Sequence, residues 1–402
     1  MVAAAVLLVY LGWTGAFLLD HHTFWAFVHV GSRFASRAAP GSPIRAGLHD
    51  ASVTDTGYDG QFFYYIAVDP AGASCCLDDP AYRYPRIGYP VAARLLGVGS
   101  SALVPVAMVA INLAALGSTI CILAAWLRRR GRSGWWALTY GFFPGLFQAF
   151  QLDLAEITAY MLVAIAIYVL DSPRPDSPPR RRVVLAGIAF GLAALTRETT
   201  LLFAAVYVVA AFLRWGATRR PQWRDAALLA SLAAVPFVAY KAVVAVKFGS
   251  LGVGFSSGGG EVAAGPLAGL LSFAPFEPRE WIEMAALVVP ATLVATLAVY
   301  RLATTAASRT ELLGYLVNFT VLVVFLQRSA WFSYSDSARV QTGVMLGLVL
   351  ALPPLLGERG AAGVPRRGPS MAGLVVGLAL MLWLGVVVPG VVAPHSFHVF
   401  KL

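Results

Sequence analysis

The sequence predicts an all-α polytopic membrane protein, and three observations carry that reading: its composition, the spacing of its apolar runs and the placement of its arginines. Of 402 residues, 58% are hydrophobic and only 12% are charged, with a mean hydropathy of +0.72. Soluble domains average about 25% charged residues, which they need to cover a water-facing surface. Helices in hydrocarbon satisfy their backbone internally and turn apolar side chains outward, so they need no such cover.

A membrane span takes about 20 apolar residues, and about eleven stretches reach or approach that length. They run Val2 to Leu19, Ala102 to Leu127, Gly134 to Phe150, Leu154 to Leu170, Val184 to Leu195 and Leu201 to Leu213 in the first half. Ala226 to Val246, Ile282 to Tyr300, Leu312 to Leu326, Val340 to Leu356 and Ala372 to Val392 follow. The first run lacks a basic leader and a small-residue cleavage site before Asp20, His21 and His22, and so reads as a retained helix.

Net charge is +10, almost all of it arginine in short clusters between apolar runs. Arg128 to Arg132, Arg174 to Arg182, Arg214 to Arg224, Arg301 with Arg309, and Arg359 to Arg367 each follow an even-numbered stretch. Short arginine-rich loops stay in the cytoplasm on insertion, which predicts a cytoplasmic amino terminus and an extracytoplasmic carboxyl terminus in a multi-pass bacterial plasma-membrane protein. The long segment from Asp20 to about Gly99 then lies outside, together with the turns near Asp153, Arg197, Gly258 and Asp336. Within it, Phe62 to Val68 and Tyr82 to Tyr89 are aromatic and too short to span, and read as interfacial helices roofing the outer ends of the bundle.

Several function classes are excluded. The arginines form no contiguous tract with interleaved aromatics, so nucleic acid is not a partner, whereas membrane lipids are. Cys75 and Cys76 are adjacent and Cys121 lies in an apolar run, which provides no disulfide framework. Phosphate-loop, dinucleotide and His-Glu-x-x-His signatures are absent, as is the Asp-x-Asp with which nucleotide-sugar enzymes hold a metal. His395 and His398 alone define no metal site.

The candidate chemistry therefore gathers on the outer face. Asp59, in Tyr58-Asp59-Gly60-Gln61, either caps a helix or presents a carboxylate to a substrate. Arg83 and Arg86 either anchor in lipid headgroups or bind phosphate oxygens in the bidentate manner lysine cannot copy. Asp153 and Glu156, three apart, share one face of a helix and serve as solvated turn acids or as contacts for an acceptor hydroxyl or metal. Arg197 and Glu198 sit between two short apolar runs, where charges either close the bundle as an internal pair or line a wet cavity. Lys241, Asp336 and Arg339 are further candidates for the same cavity, and the glycine-rich loop Ser256 to Glu261 is either a lid or a plain linker.

With these motifs in view, the chain resembles the GT-C superfamily of polytopic glycosyltransferases, and within it bacterial PIG-V-like or mannosyltransferase-like proteins. The resemblance rests on Tyr58-Asp59-Gly60-Gln61 in a long first outer loop, Tyr82 to Pro90, Asp153-Leu154-Ala155-Glu156 and Leu195-Thr196-Arg197-Glu198, in that order. It implies a GT-C-like catalytic module over residues 1–213, including the outer loop 20–99, followed by variable helices over 214–402. It further implies a sugar donor linked to polyprenyl phosphate, a glycan, lipid or protein acceptor in the cell envelope, and Asp59 as catalytic residue. Arg83, Arg86, Asp153, Glu156, Arg197 and Glu198 are the matching substrate-binding candidates; no particular cofactor is implied, and a divalent metal stays open. Two other readings stand beside it. A flippase or transporter of lipid-linked sugars predicts inverted repeats and midplane charges, whereas an envelope-assembly protein predicts no site at all.

Overall fold

The computed structural model describes residues 1–50, 52–171, 179–218, 223–252, 263, 265–304, 309–331, 334–356 and 377. Among them the chain is helical throughout, with a single isolated bridge between Gly31 and Thr54 and no strand. The main helices are α1 (Val2–His21), α2 (Gly60–Val68), α3 (Gly88–Leu96), α4 (Leu103–Arg129), α5 (Pro144–Gln151) and α6 (Glu156–Leu170). They continue as α7 (Pro179–Thr196), α8 (Leu201–Thr218), α9 (Trp223–Phe248), α10 (Val289–Thr304), α11 (Arg309–Phe319), α12 (Tyr334–Val340) and α13 (Thr342–Leu356).

Among the described residues, four helical segments are long and apolar enough to cross a membrane: Val2–His21, Leu103–Arg129, Trp223–Phe248 and Met284–Thr304. At a rise of about 1.5 Å per residue, the 27 residues of α4 extend about 40 Å, more than a hydrocarbon core requires. α6 and α13, at 15 residues each, are shorter. α13 is buried along its whole length from Thr342 to Leu355, which explains its lack of a polar face: it is the axis around which other helices pack. It lies against α11, which also packs on α8 and α10, while α7 is clasped by α6 and α9.

Three expectations change. The stretch Gly134 to Phe150 is not one helix but a 3₁₀ turn at Gly134–Ala137, a short turn at Leu138–Gly141 and then α5. Pro144 opens α5 because its fixed φ and missing N–H suit a first helical turn and no interior one. α2 does not lie at a lipid interface: all nine of its residues are buried in protein, with Trp25 edge-on to Tyr64 at 4.7 Å and Phe34 edge-on to Phe62 at 5.1 Å. The adjacent cysteines Cys75 and Cys76 are joined to each other, closing one turn and linking no distant elements. Amphipathic character of the interfacial kind belongs instead to α3 and its exit, where Leu95, Leu96 and Val98 are exposed while Arg94 donates to the carbonyls of Ala67 and Val68. Ala372 to Val392 lies outside the described residues apart from Gly377, as do Ser256 to Glu261, His395 and His398.

Charge separates the two ends of the bundle. Arg130, at the end of α4, donates to Asp171 at 2.7 Å beyond α6 and to Glu311 at 3.0 Å at the start of α11. Arg180 to Arg182, Arg224 and Arg301 belong to this same end by helix direction. The opposite end, where α2, the start of α6, the α7–α8 junction and α12 meet, carries the acids and arginines of the candidate site.

Close approach of α5 to α12 positions that end. A Cβ on Gly145 would stand 2.0 Å from the Ala338 carbonyl oxygen, next to Arg339, so only glycine permits the contact. Gly145→Ala should destabilise the protein by about 1–3 kcal/mol, the usual cost of overpacking. Thermal unfolding in detergent measures it, and an unchanged melting temperature would show that α12 is not held there.

Candidate functional site

A loop pinned by one buried glutamine sets the first site residue. Gln61 accepts from the Gly31 amide at 2.8 Å and from Tyr65 at 2.9 Å through Oε1, and donates from Nε2 to the Thr56 carbonyl at 2.9 Å. Gly60 lets this corner close, since a Cβ there would lie 2.4 Å from the Leu152 carbonyl oxygen. Asp59 is thereby fixed at the start of α2. It does not cap that helix with its side chain. Its Oδ1 accepts from Arg83 Nη2 at 2.9 Å and its Oδ2 from Arg339 Nη1 at 3.0 Å.

Each neighbouring arginine is held by its own carboxylate. Arg83 donates to Asp78 through Nε at 2.8 Å and Nη2 at 2.7 Å, with its guanidinium 4.5 Å from the Phe62 ring centre. Arg86 grips Glu198 bidentately at 2.9 and 2.6 Å and donates to the Tyr82 hydroxyl at 2.6 Å. Arg197 pairs with Glu156 at 2.9 Å. Arg197 and Glu198 therefore look in different directions, because Arg197 is extended (φ −157°, ψ 120°) and breaks the run between α7 and α8.

Together these groups wall a cavity of about 390 Å³. Asp59, Arg83, Arg86 and Arg197 all line it, so four of the seven candidates converge. Glu156 and Glu198 stand directly behind, bonded to arginines of the wall. Asp153 does not share a helical face with Glu156: it occupies a left-handed turn (φ 53°) before α6 and points the other way. There its Oδ1 accepts from Tyr89 at 2.7 Å and Asn112 at 3.1 Å, without a cation. Lys241 is not among the lining residues and lies over the Phe237 ring at 5.7 Å.

The sequence reading omitted Asp78, Asp79 and the segment Leu326 to Ala330 from the cavity, and Asp336 and Arg339 prove central to it. The pair Asp78-Asp79 before Pro80 was a visible signal, since Asp79 caps the following turn at the Tyr82 amide. Residues after 213 supply Leu326, Gln327, Ser329, Ala330, Asp336, Arg339 and Val340, so the cavity is not confined to 1–213. Among the described residues no group of three His, Cys, Asp or Glu side chains is arranged to hold a metal ion.

Electrostatics distinguishes the two aspartates. Burial alone would raise Asp59, but the guanidinium groups of Arg83 and Arg339 outweigh it and hold its carboxyl below the usual range. Asp153 meets only neutral donors, and burial pushes it up to about 7 against the pull of Tyr89 and Asn112.

No family model matches the sequence, and no curated protein matches it. Two solved structures are similar to the chain. One is ArnT from Cupriavidus metallidurans bound to undecaprenyl phosphate, at 14% identity and a TM-score of 0.45, covering 95% of this chain and 78% of that one. The other is the same protein in the apo state, at 14% identity and a TM-score of 0.42 with the same coverage. Likenesses this distant assign no substrate and no activity.

The raised Asp153 gives a pH prediction whose sign follows from linkage. A carboxyl whose folded pKa exceeds its unfolded value costs stability progressively as pH rises from the unfolded value to the folded one. Asp153→Asn, which never ionises, should therefore gain melting temperature relative to wild type between about pH 3.8 and about pH 7. A difference that stays constant over that window would show that Asp153 is not buried as a neutral acid.

Proposed function

We propose that the chain is a GT-C-type membrane glycosyltransferase. On this reading it takes a sugar from a polyprenyl-phosphate carrier and delivers it, with inversion, to a glycan, lipid or protein acceptor on the extracytoplasmic face. The observation that carries the reading is convergence: four arginines and four aspartates line one cavity at the end of the bundle opposite the arginine clusters, and among those aspartates Asp59 is bonded to two of the arginines at once. Under the positive-inside rule that end faces outward. A transporter pathway calls for charges near the bilayer midplane, and the convergence at one end favours the enzyme.

The chemistry divides among the residues as follows. The acceptor hydroxyl attacks the anomeric carbon and passes its proton to Asp59, which Arg83 and Arg339 hold ionised against the effect of burial and which lines the cavity. The bond between the anomeric carbon and the phosphate oxygen breaks, and the phosphate leaves with one further negative charge. Arg197, with Arg83 and Arg86, supports that developing charge as fixed guanidinium groups in a water-poor pocket. One carboxylate suffices because the departing phosphate needs no acid, unlike the sugar leaving group of a hydrolase. The polyprenyl tail stays in lipid beside the exposed apolar residues of α3 while the head enters the cavity.

Asp59→Asn keeps the shape and removes the base. Release of polyprenyl phosphate from synthetic short-chain polyprenyl-phosphate hexoses, assayed in lipid with candidate acceptors, should fall by about a hundredfold or more. Wild-type rates in that variant would move the base to another carboxylate. Sidedness has its own test, in a chain whose native cysteines are replaced by serine: Asp55→Cys should react with an impermeant thiol reagent from outside intact cells and Arg181→Cys should not. The reverse pattern would place the cavity in the cytoplasm and remove the proposed reaction.

A further inference from the structure

Four guanidinium groups face the cavity, and they are not equally committed. Side-chain exposures are 8% for Arg83, 2% for Arg86, 4% for Arg197 and 15% for Arg339. Arg83 is forked by Asp78 and stacked on Phe62, Arg86 is forked by Glu198, and Arg197 is closed against the fully buried Glu156. Arg339 makes one short bond, to Asp59 at 3.0 Å, two looser contacts, to Asp336 at 3.4 Å and Glu156 at 3.6 Å, and lies 5.2 Å from the Tyr58 ring centre. None of its contacts is a bidentate fork, and bidentate geometry is what makes an arginine–carboxylate pair hard to displace. Its partner Asp59 is the one carboxylate of the group that the proposed reaction needs free.

We infer that Arg339 joins Arg83, Arg86 and Arg197 in receiving the donor phosphate, and that a phosphate arriving on it takes the place of Asp59, releasing the Oδ2 that receives the acceptor's proton. This rests on the reading of the cavity as a polyprenyl-phosphate sugar site. The exchange is one of hydrogen bonds and breaks no covalent bond: Arg339 passes from the Asp59 carboxylate to a phosphate oxygen, while Arg83 keeps Asp59 Oδ1 in place. The consequence is ordered binding. Until donor phosphate is bound, both oxygens of Asp59 are engaged and the base is masked, so water in the empty site is not activated.

The groups around Asp59 define the pH behaviour. Arg83 and Arg339 bond to it, Arg86 acts at longer range, Tyr58 adjoins it, and Asp78, Glu156 and Asp336 act through the two arginines. Loss of the Arg339 charge raises Asp59, so the acid limb of kcat/KM moves to higher pH.

The test is a double-mutant cycle on binding of synthetic polyprenyl phosphate to the full chain in nanodiscs, with Asp59→Asn, Arg339→Gln and the double variant. Asp59→Asn should bind about tenfold tighter than wild type, because Arg339 no longer has a carboxylate rival. That gain should vanish in the Arg339→Gln background, and Arg339→Gln alone should weaken binding. Should Arg339→Gln fail to fold, Arg339→Lys keeps a charge without the fork and should lose part of the gain. Equal tightening with and without Arg339, or no binding by any variant, overturns the inference. Turnover of polyprenyl-phosphate hexose is scored separately. Arg339-dependent binding without turnover sinks the glycosyltransferase reading and leaves the anion site; turnover with an Arg339-independent cycle and an unmoved acid limb does the reverse.

Discussion

The two-sided hold on Asp59 is the constraint on which the cavity-bearing end of the molecule depends. A buried carboxylate is tolerated only when its charge is matched by partners, and here the partners come from opposite parts of the chain. Arg83 lies 24 residues away and Arg339 lies 280 residues away. The pairs extend into an alternating row, Asp78–Arg83–Asp59–Arg339–Glu156–Arg197, in which every interior member has an opposite charge on both sides. Removal of any interior member leaves two like charges facing one another at short range, so the row holds the segment that carries Asp59 and Arg83, α6, the α7–α8 junction and α12 in register as a unit.

The scaffold beneath serves that row. α1 is tied to the broken segment before α5 by Tyr10, which donates to the Gly141 carbonyl at 2.9 Å, and by edge-on packing of Tyr10 and Trp13 against Phe147 and Phe150. α5 in turn meets α12 across Gly145. At the far end Arg130 ties α4 to α6 and α11. Among the described residues these two sets of ion pairs lie at the two ends, and the contact along the helices between them is mainly apolar, as expected where the surroundings are hydrocarbon.

Much of this was legible in the residues. Composition and run length specify a helical membrane bundle because hydrocarbon leaves few alternatives, and counting arginines groups Asp59, Arg83, Arg86 and Arg197 on one side because insertion sorts charge by loop. What was not legible has physical causes. The helical three-residue spacing joined Asp153 to Glu156, but Asp153 is itself left-handed and lies before the helix that begins at Glu156, and local spacing cannot announce such a break. An aromatic, apolar run such as Phe62 to Val68 suits an interface and a core equally, and only the packing of Trp25 and Phe34 decides for the core. Arg339 sits at the start of an apolar stretch, where anchoring is the ordinary role; its bond to Asp59 spans most of the chain, and no local pattern encodes a pairing at that distance.

The helix that follows Arg339 has a consequence for accuracy. The Thr342 hydroxyl, at the first residue of α13, donates to the Arg339 carbonyl at 2.7 Å, and from there to Leu355 every side chain is enclosed. Close-packed interiors tolerate displacements only of tenths of an ångström before contacts are lost. Arg339 is therefore tied through its backbone to a fully enclosed helix, whereas side chains at the ends of connecting segments ordinarily drift with them. Its guanidinium can trade one oxygen for another while its own backbone stays still, much as a bearing turns in a fixed housing.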